Sequence, residues 1–250
     1  MAESWTEALR RLGAAQKGHA RGAPAYSVYV NRRIGRVLAA TAYVWGWTPN
    51  GVTAVSALFT FTAIALLCLA PASIGLGLAV AVLLALGYAW DSADGQLARL
   101  RGGGSVAGEW LDHFVDALKI ASLHLAVAIG LFRFTDIDPV WLLVPLGFSV
   151  VNVVTFFGML LNDLLKGKAD IASTHTRGGG TALRSLLLVP TDYGLLCLVF
   201  ILWGMPSAFL VVYGLLGVLC AAFLALAAAK WFREMRAIDA DRISAASLRS

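Results

Sequence analysis

Six long apolar runs are the feature of this sequence that most constrains its fold. They cover roughly residues 51–70, 73–98, 106–132, 139–163, 182–203 and 206–229. Each is close to the roughly 20 residues that a helix needs to cross a bilayer. Hydrophobic residues make up 59% of the 250-residue chain and charged residues only 14%, whereas a soluble domain has about 45–50% and about 25%. The sequence therefore predicts an all-α integral membrane protein with six transmembrane helices.

The segment that precedes the first run is amphipathic. Apolar residues recur at helical spacing on one side, and arginines fall towards the other. The apolar positions are Val30, Ile34, Val37 and Leu38, and the basic positions are Arg32, Arg33 and Arg36. This pattern is typical of an amphipathic helix on an anionic membrane surface. A helix in cytosolic solvent is the alternative.

These patterns divide the chain into four parts. We expect a polar cytoplasmic segment over residues 1–25, an amphipathic juxtamembrane helix over 26–46, a six-helix transmembrane domain over 48–231 and a cytoplasmic tail over 232–250. Thr48, Pro49 and Asn50 indicate the start of the first transmembrane helix, because proline is tolerated in a first helical turn. No cleaved leader is predicted, since the first 25 residues contain no apolar core of the required length.

Lysines and arginines lie almost entirely in alternate gaps between the runs. One side receives those of the N-terminal segment, the turn after run two, the loop after run four and the tail, and the other side receives only Arg133. Cytoplasmic loops carry an excess of Lys and Arg. We therefore predict a protein of the cell inner membrane with both termini in the cytoplasm, and with the end of run two and the start of run three on the same side. Membrane lipids are its expected surroundings, and no nucleic-acid partner is predicted.

Four aspartates lie in the stretch DSADGQLARLRGGGSVAGEWLDHFVD, at the ends of the second and third runs. Asp91 and Asp94 are three residues apart, and Asp112 and Asp116 are four apart, so each pair shares a helix face. The short turn over residues 101–105 would bring the two acidic faces together.

Four carboxylates cannot all stay ionised side by side at a membrane boundary without compensation. One charged side chain near the bilayer centre costs roughly 2.5–3.5 kcal/mol, and like charges make one another's ionisation costlier. Two divalent cations would neutralise the four charges, and carboxylate oxygens are hard ligands that suit Mg²⁺ or Mn²⁺. We therefore predict a site for two such ions, with helix-capping or ion-paired aspartates as the alternative.

The complete spacing of this stretch resembles the signature of a known family. It reads Asp91-x2-Asp94-Gly95-x2-Ala98-Arg99-x8-Gly108-x3-Asp112-x3-Asp116. All eight positions match the CDP-alcohol phosphotransferases, also called CDP-alcohol phosphatidyltransferases. The resemblance extends to the amphipathic helix, the TPN-x-V-T sequence from Thr48 to Thr53 and the six-span layout, and it weakens after residue 130.

The resemblance implies a transferase of phospholipid biosynthesis. Such an enzyme moves a substituted phosphate, most commonly phosphatidyl, from a CDP-linked donor such as CDP-diacylglycerol to an alcohol, and it releases CMP. By position, Asp91, Asp94 and Asp112 correspond to metal ligands, and Asp116 to a ligand that also acts as general base. The family also implies a homodimer.

The small residues of the motif are the expected contacts of the CDP-linked donor. Gly95, Ala98 and Gly108 have little or no side chain, so a flat nucleotide can approach the backbone closely. Arg99 is suited to pair with a phosphate as a planar fork.

The acceptor alcohol is expected to meet the loop LLKGKADIASTHTRGGGTALR between the fourth and fifth runs. If the acceptor carries a phosphate, as inositol phosphate and glycerol phosphate do, cations should hold that phosphate. The candidates are Arg177 and Arg184, followed by Lys166, Lys168 and His175. The positive-inside bias is the alternative explanation of these charges. The loop lacks the acidic–arginine pattern of phosphatidylinositol-phosphate and phosphatidylglycerol-phosphate synthases, so another polyol phosphate or a glycan-related alcohol stays open.

For five further polar residues the sequence indicates either two alternative roles or a supporting role. Lys119 is a counter-ion of Asp116 or a contact of the donor phosphate. Asp192 is a functional intramembrane acid, or an acid that Pro190 places at a helix break or in a polar cavity. His124 is predicted to be a packed core histidine. Glu109 and His113 are predicted to contact the metal-binding aspartates without binding the metal themselves.

Two other functions remain open at this point. One is a divalent-cation transport or binding membrane protein with the acidic cluster on a permeation path. It predicts further intramembrane acids that lead outward from the cluster, and only Asp192 is available. The other is a non-catalytic membrane scaffold, which an intact motif disfavours.

Overall fold

The structure, a computed structural model, describes residues 4–15, 24–169, 171 and 188–247. Within these ranges the chain forms eight α-helices. They are α1 (Trp5–Ala15), α2 (Arg32–Val44), α3 (Pro49–Leu69), α4 (Ile74–Leu100), α5 (Val106–Phe134), α6 (Leu143–Gly167), α7 (Tyr193–Val199) and α8 (Pro206–Ser247). A π-helical turn (Ser27–Asn31) leads into α2, and 3-10 turns flank α6 and α7 at Pro139–Leu142, Val189–Thr191 and Phe200–Gly204.

Short polar side chains begin the first three membrane helices. Thr48, Ser73 and Ser105 each accept a hydrogen bond from the backbone N–H three residues further on, at 3.0–3.1 Å. These bonds satisfy N–H groups that the first helical turn leaves unpaired. The start predicted at Thr48-Pro49 is therefore confirmed, with Pro49 as the first helical residue.

Among the described residues, five helices are long and apolar enough to cross a membrane. They cover Pro49–Leu69, Ile74–Leu100, Val106–Phe134, Pro139–Gly167 and Pro206–Asp241. These helices confirm the prediction of an all-α integral membrane protein.

The sixth predicted span, over residues 182–203, is not confirmed. Its described part consists of Val189–Thr191 and the shorter apolar helix Tyr193–Gly204. At 1.5–2.0 Å per residue that helix is about 20 Å long, against about 30 Å of hydrocarbon. The helix breaks at Asp192, whose backbone is extended and whose Oδ1 accepts the N–H of Gly194 at 3.0 Å.

Asp192 also joins the N-terminal segment to the helix bundle. Its Oδ2 accepts the backbone N–H of Ser27 at 2.9 Å, in the turn that leads into α2. The ring of Tyr26 lies against Gly194 and stacks on Tyr88 of α4. Both carboxylate oxygens therefore accept backbone N–H groups, which supports the structural reading of this acid.

Helix α2 packs on α4 through its smallest residues. Gly35, Ala39 and Ala42 are buried, whereas Ile34 and Val37 are each 44% exposed. Small side chains let two helix backbones approach closely. Ile34 and Val37 of the predicted apolar face thus point away from α4, whereas Leu38 of the same face packs against the apolar cluster beside α4. The position of α2 on a membrane surface stays a prediction.

The N-terminal segment contains a helix that we did not predict. Helix α1 lies within residues 1–25, and it buries Ala8 and Leu12 in one apolar cluster with Leu97 and Leu100 of α4. The i, i+4 spacing of Ala8 and Leu12 was the signal available in the sequence. The C-terminal end of α4 is therefore covered by α1 as well as by α2.

The last membrane helix runs past its predicted end. Helix α8 continues from Pro206 to Ser247 without a break at the expected boundary after residue 231. Trp231 packs on Gly158 of α6, and Glu234 forms an ion pair with Lys166 at 2.7 Å. The first part of the expected tail is thus attached to α6.

Trp203 is fully buried where α3, α4, α5 and the segment after α7 meet. Gly77 of α4 lies against the carbonyl of Phe200 and against Trp203, and Gly130 of α5 lies against the carbonyl of Leu67 and the Trp203 ring. Side chains at either glycine would strike backbone. The short Tyr193–Gly204 helix is therefore held by close contacts that only glycine permits.

We expect Gly77→Ala to destabilise the protein, because the added methyl would overlap the Phe200 carbonyl, which cannot move cheaply. Overpacking of this kind costs typically about 1–3 kcal/mol. The free energy of unfolding in detergent would measure it. Gly75→Ala is the matched control, because Gly75 lies two residues away on α4 and has open space around it. This variant should keep the wild-type free energy of unfolding. Equal effects of the two changes would contradict the packing described.

Candidate metal centre and adjoining cavity

Three of the four predicted aspartates converge between α4 and α5. One carboxylate oxygen from each of Asp91, Asp112 and Asp116 lies within 4.8 Å of the others. The turn over residues 101–105 brings this about, since it reverses the chain between Leu100, the end of α4, and the start of α5. The acidic faces of α4 and α5 therefore meet, as the sequence predicts.

Lys119 lies among these carboxylates. Its Nζ is 2.5 Å from Asp91 Oδ1 and 3.2 Å from Asp116 Oδ1, and it donates to Ser56 Oγ at 3.0 Å. Ser56 in turn donates to the carbonyl of Gly87 at 2.8 Å. All three ammonium protons can thus be used, and Lys119 is a counter-ion of two acids rather than of Asp116 alone.

Asp94 stands slightly apart from the other three aspartates. It is buried, and its Oδ2 accepts the hydroxyl of Thr53 at 2.7 Å, while its Oδ1 accepts the N–H of Gly95. Thr53 comes from α3, so three helices now contribute to the acidic region. Asp94 also lines a cavity that it shares with Asp112.

That cavity has a volume of about 650 Å³. Its walls come from the start of α3, the end of α4, the α4–α5 turn and the start of α5. It is lined by every residue predicted to contact the donor, and by two of the predicted metal ligands: Gly95, Ala98, Arg99, Gly108, Asp94 and Asp112. The structure thus brings the small residues, the arginine and the acids of the motif to one space.

The glycines keep this space open. A Cβ at Gly95 would meet only the Arg99 side chain, at 3.8 Å, so it would project into the cavity. Gly108 packs closely on Ser105 and Asn50, which form the wall behind it. A cavity with carboxylates on one wall and a guanidinium on another can bind a phosphate ester together with a cation.

The residues predicted to bind the acceptor are only partly described. Lys166 is buried and held by Glu234, so its ammonium already has a partner, and Lys168 is exposed at the end of α6. The others lie outside the described residues: Arg177, Arg184 and His175. Their role stays a prediction.

The remaining polar residues have modest roles. His124 is buried, stacks on Phe148 at 4.4 Å and bonds to Tyr213 and Asn152, as expected of a packed core histidine. Glu109 lines the cavity beside Asp112, and the other neighbour of the acids, His113, meets the ring of Phe156 edge-on.

Sequence reasoning missed two residues that support the acids. Thr53 holds Asp94, and Ser56 holds Lys119. Both lie on one face of α3, three residues apart. Thr53 belongs to the TPN-x-V-T sequence, which was noted for the resemblance without a role for its last residue. Ser56 had no comparable signal in the sequence.

Helices and site together define a class: an integral membrane protein with a candidate divalent-cation site beside a polar cavity. A family model described as CDP-alcohol phosphatidyltransferase matches residues 46–229. The chain therefore belongs to the CDP-alcohol phosphatidyltransferase family of membrane transferases in phospholipid biosynthesis. This confirms the resemblance seen in the sequence, while the roles of the individual site residues remain predictions.

Two further comparisons were made. A search of curated proteins finds no match. Among solved structures, the chain is similar to the Mycobacterium tuberculosis phosphatidylinositol phosphate synthase PgsA1 in complex with manganese and citrate. The sequence identity is 22%, the TM-score is 0.49, and the match covers 81% of this chain and 89% of that one.

We expect Thr53→Val to destabilise the protein, because the buried Asp94 carboxylate would lose its hydroxyl donor. An unsatisfied buried group costs about 1–3 kcal/mol. The free energy of unfolding in detergent would measure the loss. Thr62→Val is the matched control on the same helix, since the exposed Thr62 hydroxyl bonds only to the carbonyl of Leu58. A change at Thr53 no larger than that at Thr62 would show that this hydroxyl does not support the site.

Proposed function

We propose that this chain transfers a phosphatidyl group from CDP-diacylglycerol to an alcohol acceptor and releases CMP. Family membership gives the reaction class. The observation that supports the particular donor is the shared cavity: Gly95, Arg99 and Asp112 line one space of about 650 Å³ beside the acidic cluster. A space of this size suits a nucleotide headgroup.

The carboxylates of the acidic cluster fit the divalent cations that the family implies. Three carboxylates from two helices lie within 4.8 Å of one another, and such hard oxygen ligands suit Mg²⁺ or Mn²⁺. Asp91, Asp112 and Asp116 would hold one ion, and Asp94 with Asp112 would hold the second. Bound ions would polarise the reacting phosphorus and offset the charge on the departing CMP.

Asp116 is the proposed general base. In the reaction the acceptor oxygen forms a bond to phosphorus, the bond from phosphorus to the CMP oxygen breaks, and the hydroxyl proton passes to an Asp116 oxygen. Its Oδ1 accepts Lys119 at 3.2 Å, which fixes the orientation of the carboxylate. The other oxygen is then available for the proton.

The cavity residues would bind and orient the donor. Arg99 would pair with a phosphate of the CDP group. The open backbone at Gly95 would let the nucleotide lie close to α4. Because Gly95 directly follows Asp94 and Arg99 lies five residues beyond it on the same helix, the donor phosphates would be directed towards the cluster.

The acceptor is proposed to be a polyol phosphate that enters from the cytoplasmic loop after α6. Basic residues of this loop would hold its phosphate: Arg177, Arg184, Lys168 and His175, with Lys166 behind them. The charge distribution supports an inner-membrane protein with its active site in the cytoplasm. A homodimer remains part of the proposal through the family resemblance.

The proposal is tested by CMP release from CDP-diacylglycerol with Mg²⁺ or Mn²⁺, comparing inositol phosphate, glycerol phosphate, free inositol and serine as acceptors. We expect release that depends on one acceptor, is lost on chelation and falls at least about a hundredfold in Asp116→Asn, the lower bound of general-base effects. Asp136→Asn, the same chemical change in the linker between α5 and α6, is the control and should retain activity.

Two results would contradict this function. CMP release that is equal in Asp116→Asn and wild type would exclude Asp116 as the base. No release from any CDP-linked donor, combined with Mn²⁺ flux into proteoliposomes, would favour the divalent-cation transport function instead.

We expect Lys119→Met to bind Mn²⁺ more tightly than wild type, because the ammonium competes with a cation for Asp91 and Asp116. Removing a unit charge at this distance should change the affinity on the order of tenfold. Titration followed by electron paramagnetic resonance would measure it. Lys230→Met, which removes a half-exposed lysine from α8, is the control. Unchanged or weaker binding in Lys119→Met would show that Lys119 does not compete.

A further inference from the structure

The end of α4 forms one wall of the cavity, so the way this helix ends decides the cavity's shape. The last four carbonyls of an α-helix have no partner within the helix. Here the first three carbonyls accept backbone N–H groups of the following turn. The N–H of Arg101 bonds to the carbonyls of Leu97 and Ala98, that of Gly103 also bonds to Ala98, and that of Gly102 bonds to Arg99. The fourth carbonyl, of Leu100, accepts a hydrogen bond from elsewhere in the chain.

That bond comes from α1. Arg11 Nη2 donates to the carbonyl oxygen of Leu100 at 3.2 Å. A guanidinium at this position also interacts favourably with the negative end of the helix dipole. The contact spans 89 residues of sequence, so it fixes the N-terminal helix to the point where α4 becomes the α4–α5 turn.

Apolar burial keeps Arg11 in this position. Leu12, the next residue, is 2% exposed, and Ala8 is fully buried. Both belong to an apolar cluster that also contains Leu97 and Ala93 of α4. Ala93 directly precedes Asp94, so α1 supports the helical segment that carries this acid as well as the segment that ends at the turn.

Beyond its backbone hydrogen bonds to the end of α4 and the contact of Arg101 with the Tyr43 ring, the turn has few contacts that hold it in place. Gly102 and Gly103 have φ values of +94° and +134°, which glycine adopts readily. Apart from the adjacent residues in the sequence, no atom of the described chain lies within 4 Å of the Cβ position of Gly102, Gly103 or Gly104. Gly103, Gly104 and Arg101 nevertheless line the cavity. The conformation of this wall therefore depends on contacts at its ends.

We propose that Arg11 is a positioning residue for the donor: by capping Leu100 from α1, it fixes the Arg101–Ser105 turn in the shape that receives the CDP group. This inference rests on the proposed function for its ligand, though not for the contact itself. Arg11 does not line the cavity, so it acts on donor binding through the turn and not on the reacting atoms.

The first test needs no activity. Hydrogen–deuterium exchange of the full-length protein in lipid nanodiscs would compare wild type, Arg11→Ala and Leu12→Ala. We expect faster exchange of the amides of residues 101–105 in both variants, with unchanged exchange over 119–131 of α5. Arg10→Ala removes the same charge from an exposed neighbour on α1 and should exchange like wild type.

The second test separates binding from chemistry. For CMP release from CDP-diacylglycerol, Arg11→Ala should raise the KM about fivefold, which corresponds to the roughly 1 kcal/mol of one typical hydrogen bond, with little change in kcat. Arg11→Lys, which keeps a charged donor, should recover part of this loss. Leu12→Ala should shift KM in the same direction without removing any charge.

The outcomes distinguish this inference from the proposed function. Unchanged exchange over 101–105 in both Arg11→Ala and Leu12→Ala would overturn the positioning role, whatever the activity. A fall in kcat with unchanged KM would also overturn it. If wild type releases no CMP but the exchange of the turn responds as expected, the proposed donor is wrong and the capping contact stands.

Discussion

The ammonium of Lys119 is the contact on which the acidic site depends. Asp91 and Asp116 come from different helices, and without a cation between them their charges would push α4 and α5 apart. Lys119 bonds to both acids and to Ser56, so it connects α3, α4 and α5 at one point. This arrangement makes the carboxylates compatible with close helix packing before any divalent ion binds. A divalent ion bound at this cluster would therefore compete with the lysine for Asp91 and Asp116.

Local sequence rules predicted the elements that carry the site. The spacing of the four aspartates placed two on α4 and two on α5, and the glycine-rich turn placed the pairs opposite each other; three of the four converge. The start of α3 at Thr48-Pro49 was equally clear. These features depend on residues a few positions apart, which is the range that helical periodicity and capping rules cover.

Contacts between distant parts of the chain could not be predicted. The hydroxyl of Thr53 reaches Asp94 across 41 residues, and the N–H of Ser27 reaches Asp192 across 165. The spacing of residues along the sequence does not reveal such a contact, because the contact follows from how the helices pack. The break at Asp192 is the clearest case: its local sequence allowed a functional acid, and the partner that satisfies it lies near the other end of the chain. The same holds for α1, whose partner surface is the end of α4.

The packing of α2 has a mechanical consequence. Gly35, Ala39 and Ala42 press directly on α4, with no long side chain in between to absorb a displacement, whereas Ile34 and Val37 face outward. Interiors packed in this way transmit strain. If α2 lies on the membrane surface, as its amphipathic pattern predicts, the lateral pressure of the lipid headgroup region acts on its outward side, and its inner side rests on the helix that carries Asp91 and Asp94. Curvature stress in the bilayer would thus be transmitted to the acidic site through a rigid connection only one helix wide.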